Sequence, residues 1–490
     1  MTEQEALKTY FGYDSFRPGQ DTVVSAILSG RDALAIMPTG AGKSLCYQIP
    51  ALLLPGLTLV ISPLISLMQD QVKGLSAAGI PAAYINSALT ENQIAKALQL
   101  AAQGSYKIVY VAPERLESPA FQAFAASADI SMLTVDEAHC ISQWGQDFRP
   151  SYLRILDFID TLPKRPIVSA FTATATREVK DDIAETLHLQ DPEIVITGFD
   201  RPNLYYRVEP TRRKDAFVAD YVRSHPGESG IIYCATRKNV DAVQEMLQGE
   251  GFAAARYHAG MTNEERRQSQ NDFIYDAAPV IVATNAFGMG IDKSNVRYVI
   301  HYNMPQSMEN YYQEAGRAGR DGLPSQCILL FSPQDIMINR FLLEHKEVDD
   351  LDDEAAELLR ERDNQRLQAM ANYCQTTGCL RNYILRYFGE EPAAPCGSCG
   401  NCDREFEEVD MTAQAKWMIN CVAETRGRYG KGVVLNTLRG ANMARLRELG
   451  AMDYRSYGKL KDCTREELNC LLAQLLEDGY LIQTDDQYAV

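Results

Sequence analysis

The apolar and polar positions change period along the chain. Residues 1–33 are spaced as helices, interrupted by a loop from Phe11 to Gln20. From Leu34 to about Gly198, short apolar or β-branched runs alternate with helical stretches. Residues 34–36, 57–63, 107–113, 132–136, 167–172 and 194–198 predict buried strands, and 45–54 predicts the helix after the first of them. Such alternation implies a parallel, doubly wound sheet, with ligands at the carboxyl ends of its strands. A second α/β unit starts near Asp200-Arg201-Pro202-Asn203, with 230–234, 280–284 and 298–302 as its clearest strands. Residues 336–372 read as helical. From Met411 three helices follow, then an apolar strand at 480–482.

The polar motifs fall where such sheets bind ligands. Between the first strand and its helix lies Met37-Pro38-Thr39-Gly40-Ala41-Gly42-Lys43-Ser44. Turn glycines let backbone N–H groups close on a phosphate, and the helix N-terminus adds its positive dipole end. Lys43 suits the β- and γ-phosphates of a nucleotide and Ser44 a Mg²⁺ position. Thr39, Gly40 and Gly42 complete the loop, although Met37 stands where the full G-x-x-x-x-G-K-[ST] pattern has glycine. Upstream, Tyr13, Arg17 and Gln20 offer an aromatic face, a guanidinium and an amide, a set that can hold an adenine.

The strand at 132–136 delivers Asp136-Glu137-Ala138-His139. Paired acids at a strand end hold Mg²⁺ through few carboxylates and water, so Asp136 is the expected metal ligand and Glu137 the group that orients the attacking water. The next strand ends in Phe171-Thr172-Ala173-Thr174-Ala175-Thr176, whose hydroxyls are placed to link the acids to the neighbouring domain. Trp144, Phe148 and Arg149 lie in a Gly/Pro-bounded loop and suit stacking and phosphate contact with unpaired bases; anchoring of the loop is the alternative. The second unit has no phosphate loop, but Gln313-Glu314-Ala315-Gly316-Arg317-Ala318-Gly319-Arg320 sets two arginines among glycines. Arginines so held suit a finger reaching a γ-phosphate across a cleft, worth about 10³–10⁵ in rate.

Composition changes this picture little. A 490-residue chain suggests about three domains, and 46% apolar with 23% charged residues is ordinary for a globular protein. The acidic start lacks a signal peptide's basic and apolar regions, and residues 51–67 are too broken by Pro and Gly to read as a membrane span. Twelve cysteines without such a signal point to metal or core roles in a reducing compartment. The net charge of −17 is awkward for a nucleic-acid binder, yet ten acids against four bases crowd into 341–370, whereas 411–490 holds eleven bases against ten acids.

These motifs, in this order, are similar to those of superfamily 2 helicases, and F-R-P-G-Q with D-E-A-H-C-I-S-Q-W-G-Q-D-F-R-P resembles the RecQ DNA helicases of bacterial type. The resemblance runs from residue 5 to about 480. It implies two RecA-like motor domains (1–200 and 201–335), a helical zinc-binding subdomain (336–408) and a winged helix (409–490). It implies a cytoplasmic, nucleoid-associated monomer without membrane contact that unwinds DNA 3′ to 5′ with ATP and Mg²⁺ in recombination and repair, acting on single-stranded and duplex DNA. It matches Tyr13, Arg17 and Gln20 to adenine reading, Arg320 to the arginine finger with Arg317 beside it, and Trp144, Phe148 and Arg149 to the loop that senses single strands. Gln146 stands where RecQ proteins usually have histidine, and an amide cannot carry a proton.

Cys379 precedes Cys396, Cys399 and Cys402 in a C-x16-C-x2-C-x2-C pattern. Four thiolates suit tetrahedral Zn²⁺, although iron–sulfur clusters use similar spacing; the resemblance favours zinc, with Cys374 as a decoy. Arg381 and Arg386 flank this site as candidate phosphate contacts, and Arg439, Arg445, Arg455 and Lys459 as candidate duplex contacts. The wing is expected to pair 481–482 with 488–490 and to be cut short, and the helical C-terminal domain of many RecQ proteins (HRDC) is expected to be absent. Two other readings are an RNA helicase, since D-E-A-H also occurs there, and a nucleotide-gated clamp that does not unwind.

Overall fold

The computed structural model describes residues 1–145, 147–287, 293–345, 353–404, 409–477 and 479–482. Gln146, the segment Gly288-Met289-Gly290-Ile291-Asp292 and the predicted wing partner at 488–490 lie outside them. The chain forms two compact units, Met1–Met370 with Arg381–Ala394, and Ala371–Leu380 with Pro395–Val490. Among the described residues no helix is long and apolar enough to cross a membrane.

The first unit holds two parallel sheets. Strands β1 (Ala33–Ile36), β2 (Leu57–Ile61), β3 (Ala82–Ile85), β4 (Ile108–Val111), β5 (Ile130–Val135), β6 (Ile167–Thr172) and β7 (Glu193–Ile196) lie in the order β3-β4-β2-β5-β6-β1-β7. The second sheet comprises β8 (Leu204–Pro210), β9 (Ser229–Tyr233), β10 (Ala254–Tyr257), β11 (Val280–Ala283), β12 (Val296–His301) and β13 (Ser325–Phe331), in the order β10-β11-β9-β12-β13-β8. Central strands covered by helices on both faces bury every residue, as β1, β2 and β4 do, which is why they read as unbroken apolar runs.

The expected strands are present, with their ends shifted by at most two residues. Four others, β3, β8, β10 and β13, lack a clear signal in the pattern; β3 and β10 are edge strands of four residues containing two alanines each. β7 departs from expectation because it is not buried: it hydrogen-bonds only to β1, and Ile194 and Ile196 are exposed. The core beneath β1 joins Tyr47, Tyr110 and Phe171, with Tyr47 and Phe171 rings 5.3 Å apart.

In the second unit helices Thr412–Glu424, Lys431–Leu438 and Arg465–Glu477 enclose Met418, Cys421, Leu435, Leu438, Leu468 and Leu472. Residues 480–482 are not the expected strand. Leu481 packs on this core while Tyr480 and Ile482 are exposed, so the side chains alternate as in a strand without a described partner to pair with. Arg439, Arg445, Arg455 and Lys459 are all exposed.

Candidate nucleotide cleft and cysteine centre

The phosphate loop follows β1, and its shape depends on glycine. Gly40 and Gly42 have φ of +84° and +81°. A Cβ on Gly42 would lie 2.6 Å from Gln20 Nε2, so the loop and Gln20 fit only without a side chain there. Helix Lys43–Leu53 begins at the next residue and points its N-terminus at the same space. Among the described residues Lys43 Nζ donates to the Met37 carbonyl alone, at 3.2 Å, and burial pushes its pKa down.

Opposite it stand the acids beyond β5. Asp136 is buried, and its carboxyl is raised to about 7, first by that burial and then by Glu137, with Lys43 opposing. Glu137 takes a left-handed backbone, φ 48°, rare for a residue with a side chain and held where it turns the carboxylate inward. Glu137 Oε2 is buried without a hydrogen-bond partner. His139 Nδ1, 3.4 Å from that carboxylate, instead shares a 2.9 Å hydrogen bond with Thr172 Oγ1 at the end of β6. The Thr172 hydroxyl donates onward to Thr174 O, so the threonine strand end ties to the acidic motif directly. Tyr152 fixes the Asp136 carbonyl from below.

A cleft of about 380 Å³ gathers these groups. Tyr13, Arg17, Gln20, Thr39, Gly40, Gly42, Lys43, Ser44, Asp136 and Glu137 line one side, and Arg317 and Arg320 line the other. Every residue expected at a nucleotide site therefore meets in one cavity between the sheets. Gln20 Nε2 donates to the Ala41 and Gly42 carbonyls and its Oε1 accepts from the Arg17 N–H, so the amide nitrogen braces the loop while the oxygen keeps a second lone pair toward the cleft. The Arg17 guanidinium likewise holds the Gly40 carbonyl. Tyr13 remains exposed, open to stacking. Gln313 and Gln71 also line the cleft; Gln313 opens the glycine–arginine motif, while Gln71 has no local signal in the sequence.

The cleft suits a magnesium nucleotide. Two crowded acids, one with a buried oxygen that has no hydrogen-bond partner among the described residues, face a lysine without a carboxylate partner there and two arginines, and the loop between them closes on Gln20 only because Gly42 carries no Cβ.

Trp144, Phe148 and Arg149 lie outside this cavity. Trp144 is exposed, but the Arg362 guanidinium sits 3.4 Å over its ring and Arg366 donates to its carbonyl. Arg149 donates to Asp147, at 2.8 and 3.1 Å, and to the Pro63 carbonyl, which ties it into its own loop. Arg381 is also corrected: it is buried, donating to Asp200, Arg201 O and Leu204 O in the link between the sheets. Arg386 is exposed.

In the second unit the Sγ atoms of Cys379, Cys396, Cys399 and Cys402 lie within 4.8 Å of one another, and Cys374 is not among them. Tetrahedral Zn–S bonds of about 2.3 Å place sulfurs about 3.8 Å apart. Cys396 and Cys402 Sγ are 3.9 Å apart, and backbone N–H groups of Cys396, Ser398 and Cys402 point at cluster sulfurs, the environment thiolates require. The four residues fit Zn²⁺.

Comparison with known proteins agrees with this geometry. Residues 17–182 match the DEAD/DEAH box helicase family, 213–322 the helicase conserved C-terminal domain, 333–403 the RecQ zinc-binding family and 405–490 the RQC domain. The chain is 46% identical to the ATP-dependent DNA helicase RecQ of Bacillus subtilis, over 99% of this chain and 81% of that one. It is 40% identical to the protein of the same name from Pasteurella multocida, over 100% and 76%. In fold it is similar to Saccharomyces cerevisiae Dbp5 bound to RNA and ADP BeF3, with a TM-score of 0.57 at 18% identity over 73% of this chain and 97% of that one. The two sheets, the cysteine centre and these matches together place the chain in the RecQ family of ATP-dependent DNA helicases.

Proposed function

We propose that the chain is an ATP-dependent DNA helicase that couples hydrolysis to 3′-to-5′ translocation on single strands and to duplex unwinding in recombination and repair. The observation that carries this reading is the cleft: one sheet supplies the phosphate loop and acids, and the other supplies two arginines. Lys43, the loop N–H groups and Ser44 would hold the phosphates and, with Asp136, a Mg²⁺ ion. Bound Mg²⁺ supplies positive charge against the phosphate oxygens. Glu137 orients the attacking water and accepts its proton through the carboxylate oxygen that has no internal partner. Arg320, with Arg317 beside it, meets charge that develops on the γ-phosphate, so turnover requires the two sheets to close. Tyr13 stacks on the base, while Arg17 and Gln20 act through the loop they brace.

The working division is 1–200 and 201–335 for the motors, 336–408 for the zinc subdomain and 409–490 for a winged helix that meets duplex DNA. Trp144 and Phe148 read unpaired bases in a cytoplasmic, nucleoid-associated monomer, and His139, held by Thr172, sits beside Glu137. The test is steady-state ATP hydrolysis without nucleic acid, with single-stranded DNA and with RNA, together with strand separation on duplexes bearing 3′ or 5′ tails. Stimulation by DNA over RNA and unwinding from the 3′ tail, both lost in Lys43→Ala, are expected. Equal stimulation by RNA would favour an RNA-directed enzyme. Hydrolysis without strand separation would leave a clamp.

A further inference from the structure

The link between the two sheets, residues 197–203, carries a guanidinium that touches both walls of the cleft. Arg201 Nη1 donates to the Thr39 carbonyl at 3.1 Å and the Gly316 carbonyl at 3.3 Å. Its Nη2 donates to the carbonyls of Ala318 and Gly319, each at 3.1 Å. Thr39 belongs to the phosphate loop, and 316–319 follow helix Met308–Ala315. The peptide leading into Arg317 and the one leading into Arg320 therefore both end in carbonyls that Arg201 holds.

The cradle is built around this contact. The Arg201 carbonyl accepts from Arg381 at 2.6 Å and from the Leu204 N–H at 3.0 Å. Asn203 adds a second donor to the Gly319 carbonyl at 2.8 Å. Gly319 has φ +57°, and a Cβ there would fall 2.4 Å from Asn203 Nδ2, so only glycine lets the loop settle on its holder. On the opposite face, a Cβ on Gly40 would lie 3.4 Å from Arg320 Cγ, in contact with that side chain's stem.

We propose that Arg201 is a positioning residue for ATP hydrolysis, registering the phosphate loop against the loop that presents Arg317 and Arg320. This rests on reading the cleft as the ATP site. A guanidinium suits the task because two nitrogens of a rigid fork serve four carbonyls on two loops. A lysine ammonium donates from a single point and can hold one loop or the other. Loss of register acts on the transition state, where the arginines matter, more than on ground-state binding.

The experiment is ATP hydrolysis by the full chain, saturated with single-stranded DNA, for wild type, Arg201→Ala, Arg201→Lys and Lys43→Ala, with thermal denaturation of each. A misplacement of about 1 Å can cost on the order of 10²-fold, so Arg201→Ala is expected to lower kcat about 10- to 100-fold while KM for ATP moves less than about threefold. Arg201→Lys is expected not to rescue. Wild-type kcat in Arg201→Ala, a raised KM at unchanged kcat, or full rescue by lysine would each overturn the proposal. Should Arg201→Ala lose its cooperative melt, Asn203→Ala removes the second donor on Gly319, together with a bond to the Leu323 carbonyl beyond it. A kcat reduced about threefold or more would then support the register, and an unchanged kcat would overturn it. A wild-type protein with no DNA-stimulated turnover sensitive to Lys43→Ala would instead defeat the reading of the cleft.

Discussion

The two sheets of the first unit are the same device with one site kept and the other closed. Aligned by strand order, β1 corresponds to β8, β5 to β12 and β6 to β13. After β1 comes the glycine loop, and Lys43 opens the next helix; after β8 comes a short turn, and Lys214 opens the next helix. Beyond β5 stand Asp136 and Glu137; beyond β12 stand Tyr302 and Asn303. The difference lies in how the charges are answered. Lys214 is buried, with Asp335 oxygens at 2.7 and 2.9 Å and the Tyr302 carbonyl at 2.8 Å, and Asn303 donates to the same carboxylate. Among the described residues Lys43 has no carboxylate within hydrogen-bonding distance, and the acids opposite it crowd each other. A satisfied lysine holds a fold together, whereas a lysine and two acids left facing a cavity await a ligand.

Exchanging the two lysines' fates is the strongest way to break this comparison. Lys43→Ala is expected to lower DNA-stimulated kcat at least about 10²–10³-fold, the scale on which a transition-state charge partner acts, while the denaturation midpoint barely changes. Lys214→Ala is expected to do the reverse. It strands Asp335 as an uncompensated buried charge, at a cost of about 3–5 kcal/mol, and leaves kcat per folded molecule near wild type. Denaturant melts beside kcat for both variants check this, and a Lys214→Ala protein that is stable but inactive would sink the comparison.

The acids give the next effect. Asp136→Asn relieves a buried like-charge contact, so the nucleotide-free protein is expected to melt higher while kcat falls about 10²-fold, the usual opposition of site and stability. Asn303→Asp replaces a donor to Asp335 with a second carboxylate. It is expected to destabilise by about 1–3 kcal/mol without creating nucleotide binding, since no glycine loop faces it; two-site binding by a fluorescent ATP analogue would contradict this. Thr172→Val, which removes the His139 partner, is expected to lower stimulated kcat about two- to tenfold, the worth of one buried hydrogen bond, with KM for ATP unchanged.

What could be read from the sequence follows the same division. The phosphate loop and the acid pair are local strings at strand ends, and the cysteine centre is a spacing, so their chemistry is written in neighbouring residues. Residues acting through distant backbone left no such signature. Arg201 meets Thr39 from 162 positions away, and Arg381 meets Asp200 from 181, and both are simply arginines until the chain is folded. Gln20 lies at the expected site, and its contacts with the loop carbonyls have no signature in the string, because an amide that can read a base can equally brace a loop. Edge strands β3 and β10 escaped notice since alanines half covered by helices carry little periodicity, and β7 read as buried because apolar residues on an edge look like apolar residues in a core.

The smallest effect tests where the comparison ends. The acid-bearing strand end in the first sheet is followed by the Trp144 loop, whereas β12 runs through 302–307 directly into a helix. The added loop is held by Arg362, whose guanidinium occupies a face of the Trp144 ring at 3.4 Å. A base stacking on that face must displace the guanidinium, and such a contact at a partly exposed site is worth about 0.5–1 kcal/mol. Arg362→Ala is therefore expected to tighten single-stranded DNA binding about two- to fivefold, although it removes a positive charge. Trp144 and Trp417 are the only tryptophans, so fluorescence in a Trp417→Phe background reports this ring alone. Tighter binding with quenching of Trp144 would make the loop a base reader gated by arginine. Weaker binding, with a shallower salt dependence, would make Arg362 a phosphate contact and Trp144 its support, and the chemistry the first sheet adds would then be confined to the nucleotide.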